Sequence, residues 1–216
     1  MIKNNFSLEN KLSKKDLELI HNNTVKLLEN EGVIVDNKKA LKIFEKNGIK
    51  TEGKKVYISG QKLEEIVAKI PGNFELKARN PNNNIEVGND TSILGPTLGP
   101  PFVYEDGEKR YGTYDDYIKT IKLCQANPYI DLVGGDIIAP TDLDENNRHK
   151  KMFYAAIKYS DKALLGTGSG EQEIKDTLNM GKILFGEDEL KNNNYIMKLI
   201  GASSPLEYNE TALNTL

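Results

Sequence analysis

The sequence predicts an α/β protein in which an α+β N-terminal module, residues 1–88, precedes a parallel sheet formed within residues 89–216. The front of the chain is polar and rich in helix signals, whereas from residue 91 short apolar runs alternate with amphipathic stretches of helical length. A stretch rich in Gly and Pro, residues 91–104, separates these two patterns. Apolar strands separated by helices are typical of parallel sheets built from right-handed crossovers.

Composition disfavours several kinds of partner. The 29 basic and 32 acidic residues give the 216-residue chain a net charge of −3, and no long run carries one sign, which disfavours nucleic acid. No apolar run approaches the ~20 residues of a membrane-spanning helix. The single cysteine, Cys124, has no partner for an internal disulfide, so we expect a buried thiol in a reducing cytoplasm.

The front module begins with a capping signal. Ser13 followed by Asp16 predicts a helix start, and Gly32 ends the amphipathic stripe that follows. His21 lies beside this stripe without another ligand at metal spacing, so we interpret it as a boundary histidine. The remaining predicted elements are an extended piece at 33–35, a helix at 38–46, a hairpin at 49–58, a helix capped by Ser59, and a strand pair at 74–79 and 85–87.

The back of the chain carries a hairpin and a series of buried strands. Asp106-Gly107 predicts the hairpin turn, and Thr113 with Asp116 predicts a capped helix that ends at Asn127-Pro128. Continuous apolar runs are typical of strands that are buried on both faces. The predicted strands are residues 91–94, 130–139, 163–168 and 195–202, with further helices at about 148–159 and 169–185.

Two architectures fit these strands: an open four-stranded α/β sheet, or the first half of an eight-stranded barrel whose second half is absent. A sheet that ended soon after its fourth strand would leave an apolar edge unpaired, which natural sheets rarely do. The front module, the short spacing between strands and helices and the Gly-rich strand ends favour an incomplete TIM-type (β/α) barrel. On this interpretation residues 89–216 are the first half of a (β/α)8 barrel in a truncated chain.

The predicted strand ends hold the candidate binding residues. Gly95 and Pro96 lie in a stiff loop, which is either a rigid turn between modules or a substrate loop. Asp136 ends the second apolar run, where a carboxylate could hold a cationic substrate or orient a base. Ser203 and Ser204 follow the last run and offer hydroxyls to a ligand, although two serines are equally ordinary in a turn.

Other motifs are weak. The Gly166–Gly170 turn lacks the lysine of a phosphate loop and the spacing of a dinucleotide fingerprint, so we favour a tight turn in which Ser169 caps the next helix. The two histidines, His21 and His149, allow no Ser/His/Asp triad, and no cluster has zinc spacing. We therefore predict no metal site and assign no catalytic residue.

Taken together, these segments resemble the trimethylamine methyltransferase family. The resemblance runs in the same order over nearly the whole chain. Members of that family are longer than this chain, so the resemblance implies an N-terminal half only. The residues that carry it are Ile20-His21, Leu27-Leu28-Glu29, Gly32-Val33, Ala40-Leu41, Gly48, Pro71, Ala78-Arg79, Gly95-Pro96, Pro101-Phe102-Val103, Arg110-Tyr111-Gly112-Thr113, Asp115-Asp116, Arg148-His149, Asp161-Lys162 and Ala202-Ser203-Ser204-Pro205-Leu206.

The resemblance implies a methyltransferase that moves a methyl group from a methylated or quaternary amine, of the trimethylamine or betaine type, to the cobalt of a cognate corrinoid protein. This chain would then bind no cofactor, since the partner carries the cobalamin. One branch of the family uses pyrrolysine in the second half of its barrel, so this chain does not separate the branches. Aromatic faces suit a methylammonium cation, which makes Phe102 and Tyr104 candidates for a cage wall and Asp136 a candidate counter-charge. The alternative for both aromatics is hairpin packing.

If the product ends at Leu216, we expect little activity, because half of the catalytic mouth would be absent. The alternative function is a non-catalytic α/β binding or assembly module that pairs through its open sheet edge with another chain or a second copy. A small nucleotide-binding protein is a third option, and it depends on the Gly166–Gly170 turn alone.

Overall fold

A computed structural model describes residues 2–3, 11–88 and 91–215. Its helices are α1 (Lys14–Lys26), α2 (Lys38–Lys46), α3 (Gly60–Val67), α4 (Tyr114–Ala126), α5 (Glu145–Tyr159), α6 (Glu171–Phe185), α7 (Glu187–Asn192) and α8 (Glu210–Leu213). Its strands are β1 (Ile2–Lys3), β2 (Val33–Val35), β3 (Lys50–Glu52), β4 (Lys55–Tyr57), β5 (Asn73–Leu76), β6 (Ile85–Gly88), β7 (Thr91–Ser92), β8 (Phe102–Glu105), β9 (Glu108–Tyr111), β10 (Leu132–Gly134), β11 (Ala163–Leu165), β12 (Ile196–Met197) and β13 (Glu207–Tyr208). The prediction of an α/β protein is confirmed.

The chain divides into two compact units. The larger comprises residues 1–3 and 73–199, and the smaller comprises residues 4–72 and 200–216. The boundary predicted after residue 88 is directly followed by residues 89 and 90, which lie outside the described residues. The division into 1–88 and 89–216 therefore stays a prediction.

The smaller unit is a four-stranded sheet, in the order β13-β2-β4-β3, with helices packed on it. Its core consists of Val35, Ile49 and Val56, against which Leu41 and Phe44 of α2 pack. The predicted capping box of α1 is confirmed, because Ser13 accepts the Asp16 N–H while Asp16 accepts the Ser13 N–H. The predicted hairpin is also confirmed, since β3 and β4 pair antiparallel.

The larger unit contains a three-stranded parallel sheet in the order β10-β11-β12. Side chains on one face, Val133 and Leu164, pack with residues of α4 and α5 such as Tyr117 and Phe153. Side chains on the opposite face, including Leu132 and Leu165, form a second cluster with residues of β5 and β6, among them Leu76 and Ile85. The helices that contact this sheet through the first cluster therefore lie on one of its faces.

Two predicted strands differ from the structure. Residues 91–94 do not join the parallel sheet; Thr91–Ser92 pairs antiparallel with Ile2–Lys3, and the Leu94 carbonyl accepts the N–H groups of Asp131 and Leu132. The last parallel strand is only Ile196–Met197, and residues 200–216 belong to the smaller unit. There Glu207–Tyr208 pairs with β2. Both segments are too short for apolar periodicity to identify their pairing partners.

The hairpin β8–β9 is anchored to the start of α4. The Arg110 guanidinium donates two hydrogen bonds to Asp116, at 2.6 and 2.9 Å, and also pairs with Glu105. Asp116 is the third residue of the predicted capping box, in which Thr113 accepts its N–H. A single carboxylate therefore fixes both the helix start and the hairpin.

Candidate functional site

A cavity of about 270 Å³ lies beside the carboxyl ends of β10 and β11. Its walls come from the loop after β10, the first half of α5, the loop after β11 and the start of α6. In parallel α/β folds this edge of the sheet is where ligands bind. The polar residues in its wall include Asp136, Glu145, Arg148, His149, Gly168 and Glu173.

Asp136 is held in place by backbone contacts from two loops. Its side-chain oxygen Oδ1 accepts the Gly168 N–H at 3.3 Å, and its carbonyl accepts the Gly99 N–H at 2.8 Å. The strand can turn away here because Gly134 and Gly135 both have positive φ. Asp136, predicted from sequence as a binding residue, therefore lies in the wall of the cavity, with the Gly/Pro loop against it.

Lys198 brings a third strand end to the same edge. It follows β12 directly, and its ammonium donates to the Gly168 carbonyl and, at 3.5 Å, to the Gly166 carbonyl. Burial lowers the pKa of Lys198, while the charge of Asp136 acts in the opposite direction. Sequence reasoning missed this residue, because one lysine after a two-residue strand carries no pattern.

His149 links α5 to α6 at the wall of the cavity. Its Nε2 lies 2.9 Å from Asp176 Oδ2, and this hydrogen bond lowers the pKa of Asp176, with help from Lys150. The ring is buried, and its Nδ1 has no hydrogen-bond partner among the described residues. Thr167 donates to the His149 carbonyl at 2.8 Å, which fixes the helix against the end of β11. From sequence, His149 carried part of the family resemblance and was assigned no catalytic or metal-binding role.

The Gly166–Gly170 turn does not cap α6 as predicted. The residue before the helix is Gly170, with φ of 120°, and the Ser169 side chain makes no capping hydrogen bond. The Gly168 N–H, which a phosphate would need, already donates to the Asp136 carboxylate. Glycine is used here because its positive φ and close neighbours leave no room for a side chain.

The other predicted residues of the larger unit lie in the loop and the hairpin. Gly95 lies against Leu132, since a Cβ at residue 95 would be 3.7 Å from the Leu132 Cβ, and Pro96 is partly buried. Phe102 packs against Tyr111 with tilted rings whose centroids are 4.9 Å apart, and the Lys109 ammonium lies 3.8 Å from the Phe102 ring centroid. Tyr104 is exposed. These four residues are not among the described residues that line the cavity.

Ser203 and Ser204 belong to the smaller unit. The main chain of Ser203 exchanges two hydrogen bonds with Glu207, and its hydroxyl accepts from Asn209 at 3.4 Å. Ser204 precedes a cis peptide bond to Pro205. A binding role for these two serines stays a prediction.

Within residues 2–3, 11–88 and 91–215, no group of three or more His, Cys, Asp or Glu side chains is arranged to hold a metal ion. In the same residues, no helix has the length and apolar character needed to cross a membrane.

Comparisons with known proteins identify relatives along the whole chain. The family model described as trimethylamine methyltransferase (MTTB) matches residues 1–216. Glycine betaine methyltransferase from Desulfitobacterium hafniense (strain Y51) is 37% identical over 209 residues, which are 96% of this chain and 44% of that protein. Proline betaine:corrinoid methyltransferase from Eubacterium limosum is 27% identical over 219 residues, covering 95% of this chain and 44% of that protein.

A further relative is trimethylamine methyltransferase MttB from Desulfitobacterium hafniense (strain DSM 10664 / DCB-2), which is 25% identical over 203 residues. The match covers 90% of this chain and 40% of that protein. The chain therefore spans less than half the length of these curated relatives.

Proposed function

Because the chain belongs to the trimethylamine methyltransferase family, we propose that it forms part of an enzyme that moves a methyl group from a methylated or quaternary amine to the cobalt of a cognate corrinoid protein. The relatives named for betaine and trimethylamine substrates support this proposal. The observation that carries it is the cavity at the carboxyl edge of the sheet, with Asp136 in its wall. We also propose a cytoplasmic location, which the buried free thiol of Cys124 supports.

In the proposed reaction a carbon–nitrogen bond breaks, its electron pair stays on nitrogen, and the amine leaves without positive charge. The reduced corrinoid of the partner supplies the electron pair that accepts the methyl group. The protein must strip water from the cation and hold one methyl in line. Asp136 would supply the counter-charge, and an aromatic face such as that of Phe102, which already holds the Lys109 ammonium, is chemically suited to a methylammonium group.

For the architecture, we propose that β10, β11 and β12 are strands of a TIM-type (β/α) barrel. Helices packed on one sheet face support this, since an open doubly wound sheet would carry helices on both faces. The other face is apolar and packs against β5 and β6, as the inside of a barrel would. The Gly95-Pro96 loop, Tyr104, Ser203 and Ser204 are proposed contributors to the substrate site in this architecture.

The test is a methyl-transfer assay with the purified enzyme of which we propose this chain to be part, its reduced corrinoid partner, and trimethylamine or glycine betaine as methyl donor. We expect transfer from one of these donors, and we expect Asp136→Asn to lower kcat/KM about 10- to 100-fold, the worth of one charged contact. Asp144→Asn, which removes a carboxylate outside the cavity wall, is the matched control. Absence of transfer from every methylated amine would contradict the proposed function.

A second function is favoured by one observation. Among the described strands β12 pairs with β11 alone, so its other edge is open to a strand of another chain. In this alternative the chain is a non-catalytic assembly module, whose partner could be a second copy. Light scattering distinguishes the two, because an assembly module would form a complex of fixed stoichiometry in which β12 amides are protected from hydrogen exchange.

A further inference from the structure

The cavity beside β10 and β11 is lined by an arginine, Arg148, that has no ion-pair partner among the described residues. Arg148 is partly buried in the cavity wall, yet its guanidinium forms no ion pair or hydrogen bond within the described residues. Its neighbour Lys150 is committed to Asp176 at 3.3 Å. Glu145, three residues earlier on the same helix face, does not pair with Arg148 either. A planar guanidinium whose N–H donors are all available is suited to bind a carboxylate through two parallel hydrogen bonds, that is, in a bidentate contact.

The same cavity also presents negative charge. Glu145 of α5 and Glu173 of α6 line it, and neither forms an ion pair with a described residue. Asp136 also lines this cavity. A simple cation would be attracted by the carboxylates but repelled by Arg148. A simple anion would be attracted by Arg148 but repelled by the carboxylates. A molecule with a cationic end and an anionic end satisfies both sets of charges.

We infer that Arg148 binds the carboxylate of a zwitterionic quaternary amine whose ammonium group lies against the acidic side of the cavity. This inference rests on the proposed function, and it makes Arg148 the residue that selects amines bearing a carboxylate over simple methylamines. The cavity volume of about 270 Å³ is close to the lower end of the ~300–1,000 Å³ range of ligand pockets, which suits a small molecule.

The experiment measures binding to the purified protein by titration calorimetry with two probes. Glycine betaine carries a trimethylammonium group and a carboxylate, whereas choline carries the same trimethylammonium group and a hydroxyl. We expect Arg148→Gln to raise the Kd for glycine betaine about 10- to 100-fold, the worth of a charge-assisted hydrogen bond, and to lower the Kd for choline, because the repulsion between its cation and Arg148 is removed. Arg148→Lys keeps the positive charge but cannot form the bidentate contact. Its Kd for glycine betaine should therefore lie between those of the unaltered protein and Arg148→Gln.

The matched control is Lys151→Gln, which removes one positive charge from an exposed position on the same helix, outside the cavity wall. It should change neither affinity. The inference is overturned if Arg148→Gln leaves glycine betaine affinity unchanged, or weakens both probes equally while the melting temperature stays constant. If the unaltered protein binds neither probe, the proposed function fails at this cavity, and that outcome is distinct from failure of the Arg148 inference alone.

Discussion

Replacing Asp116 by Asn should destabilise the larger unit, because this carboxylate joins the hairpin β8–β9 to α4. It accepts two hydrogen bonds from Arg110, at 2.6 and 2.9 Å, and two from Thr113, from the N–H at 2.9 Å and the hydroxyl at 2.8 Å. An asparagine of the same shape keeps one acceptor oxygen but loses the charge and the second acceptor. Arg110 retains Glu105, which limits the loss.

The expected cost follows from these contacts. A hydrogen bond to a charged group contributes about 1.5–3 kcal/mol, and a capping interaction about 1 kcal/mol. Since Arg110 is partly exposed and keeps one partner, we expect a total loss of about 2–3 kcal/mol at pH 7 rather than the full sum. Asp115→Asn is the control, because Asp115 pairs with Lys119 at the exposed surface and its loss should cost at most about 0.5 kcal/mol.

The pH dependence of this loss provides the sharper test. The Arg110 hydrogen bond, together with those from Thr113, holds the pKa of Asp116 well below its usual range, against the effect of burial. The unfolded chain, in which Asp has a pKa of about 3.9, therefore takes up this proton first as the pH falls. The contribution of Asp116 is complete above about pH 5 and declines below about pH 4, so the stabilities of the two proteins should converge in acid.

The measurement is urea unfolding at pH 7, 5, 4 and 3.5, combined with hydrogen exchange of the α4 amides, which reports the larger unit separately. Equal losses for the Asp116 and Asp115 variants would refute the assigned role of Asp116. A stability difference that stays constant from pH 7 to pH 3.5 would refute the assigned charge interaction.

Two further variants test other contacts in the larger unit. Gly134→Ala should cost about 3 kcal/mol or more, because φ is +105° and the new Cβ would lie 2.5 Å from the Leu165 carbonyl oxygen; Gly72→Ala, with open space around it, should cost less than about 0.5 kcal/mol in the same urea titration. Lys162→Met should cost about 3 kcal/mol, because three carbonyl acceptors lose their donor, and exposed Lys151→Met should be close to neutral by thermal unfolding. Losses equal to those of the controls would contradict these assignments.

Local signals in the sequence predicted local structure well. The capping boxes at Ser13 and Thr113 were identified because a hydroxyl and a carboxylate three residues apart act within one helical turn. The Asp106-Gly107 turn was predicted because an Asp-Gly pair readily adopts the positive φ angles that a tight hairpin turn requires. In the structure both residues have positive φ. In each case the physical cause lies within a few neighbouring residues.

Predictions failed where the cause lies far away in the chain. The pairing of Thr91 with Lys3 depends on a partner of only two residues, which has no periodicity to recognise. Similarly, β13 pairs with β2 across most of the chain length, so its sequence gave no sign of that register. The availability of Arg148 is likewise invisible in sequence, because Glu145 at i−3 suggests a helical ion pair that the structure does not contain.

A cavity lies at each end of the parallel sheet, and the two differ in whether their charged side chains are already paired within the protein. This pairing is a better guide to a ligand-binding site than the cavity volume. A larger cavity, about 450 Å³, lies at the amino ends of the strands beside Lys162. There the Lys162 ammonium donates to the carbonyls of Cys124, Asn127 and Ile130 at 2.6–2.8 Å, which closes the C-terminal end of α4.

At that end of the sheet the carboxylate of neighbouring Asp161 accepts hydrogen bonds from the side-chain amides of Asn80, Asn83 and Gln125. Charged groups that are fully paired within the protein have little to gain from a ligand. At the carboxyl ends, by contrast, Arg148 and the facing carboxylates lack ion-pair partners within the described residues. Since Asp136, Arg148 and Glu173 are already partly buried, a complementary ligand can bind them with little further loss of solvation, and this distinguishes a binding site from a structural one.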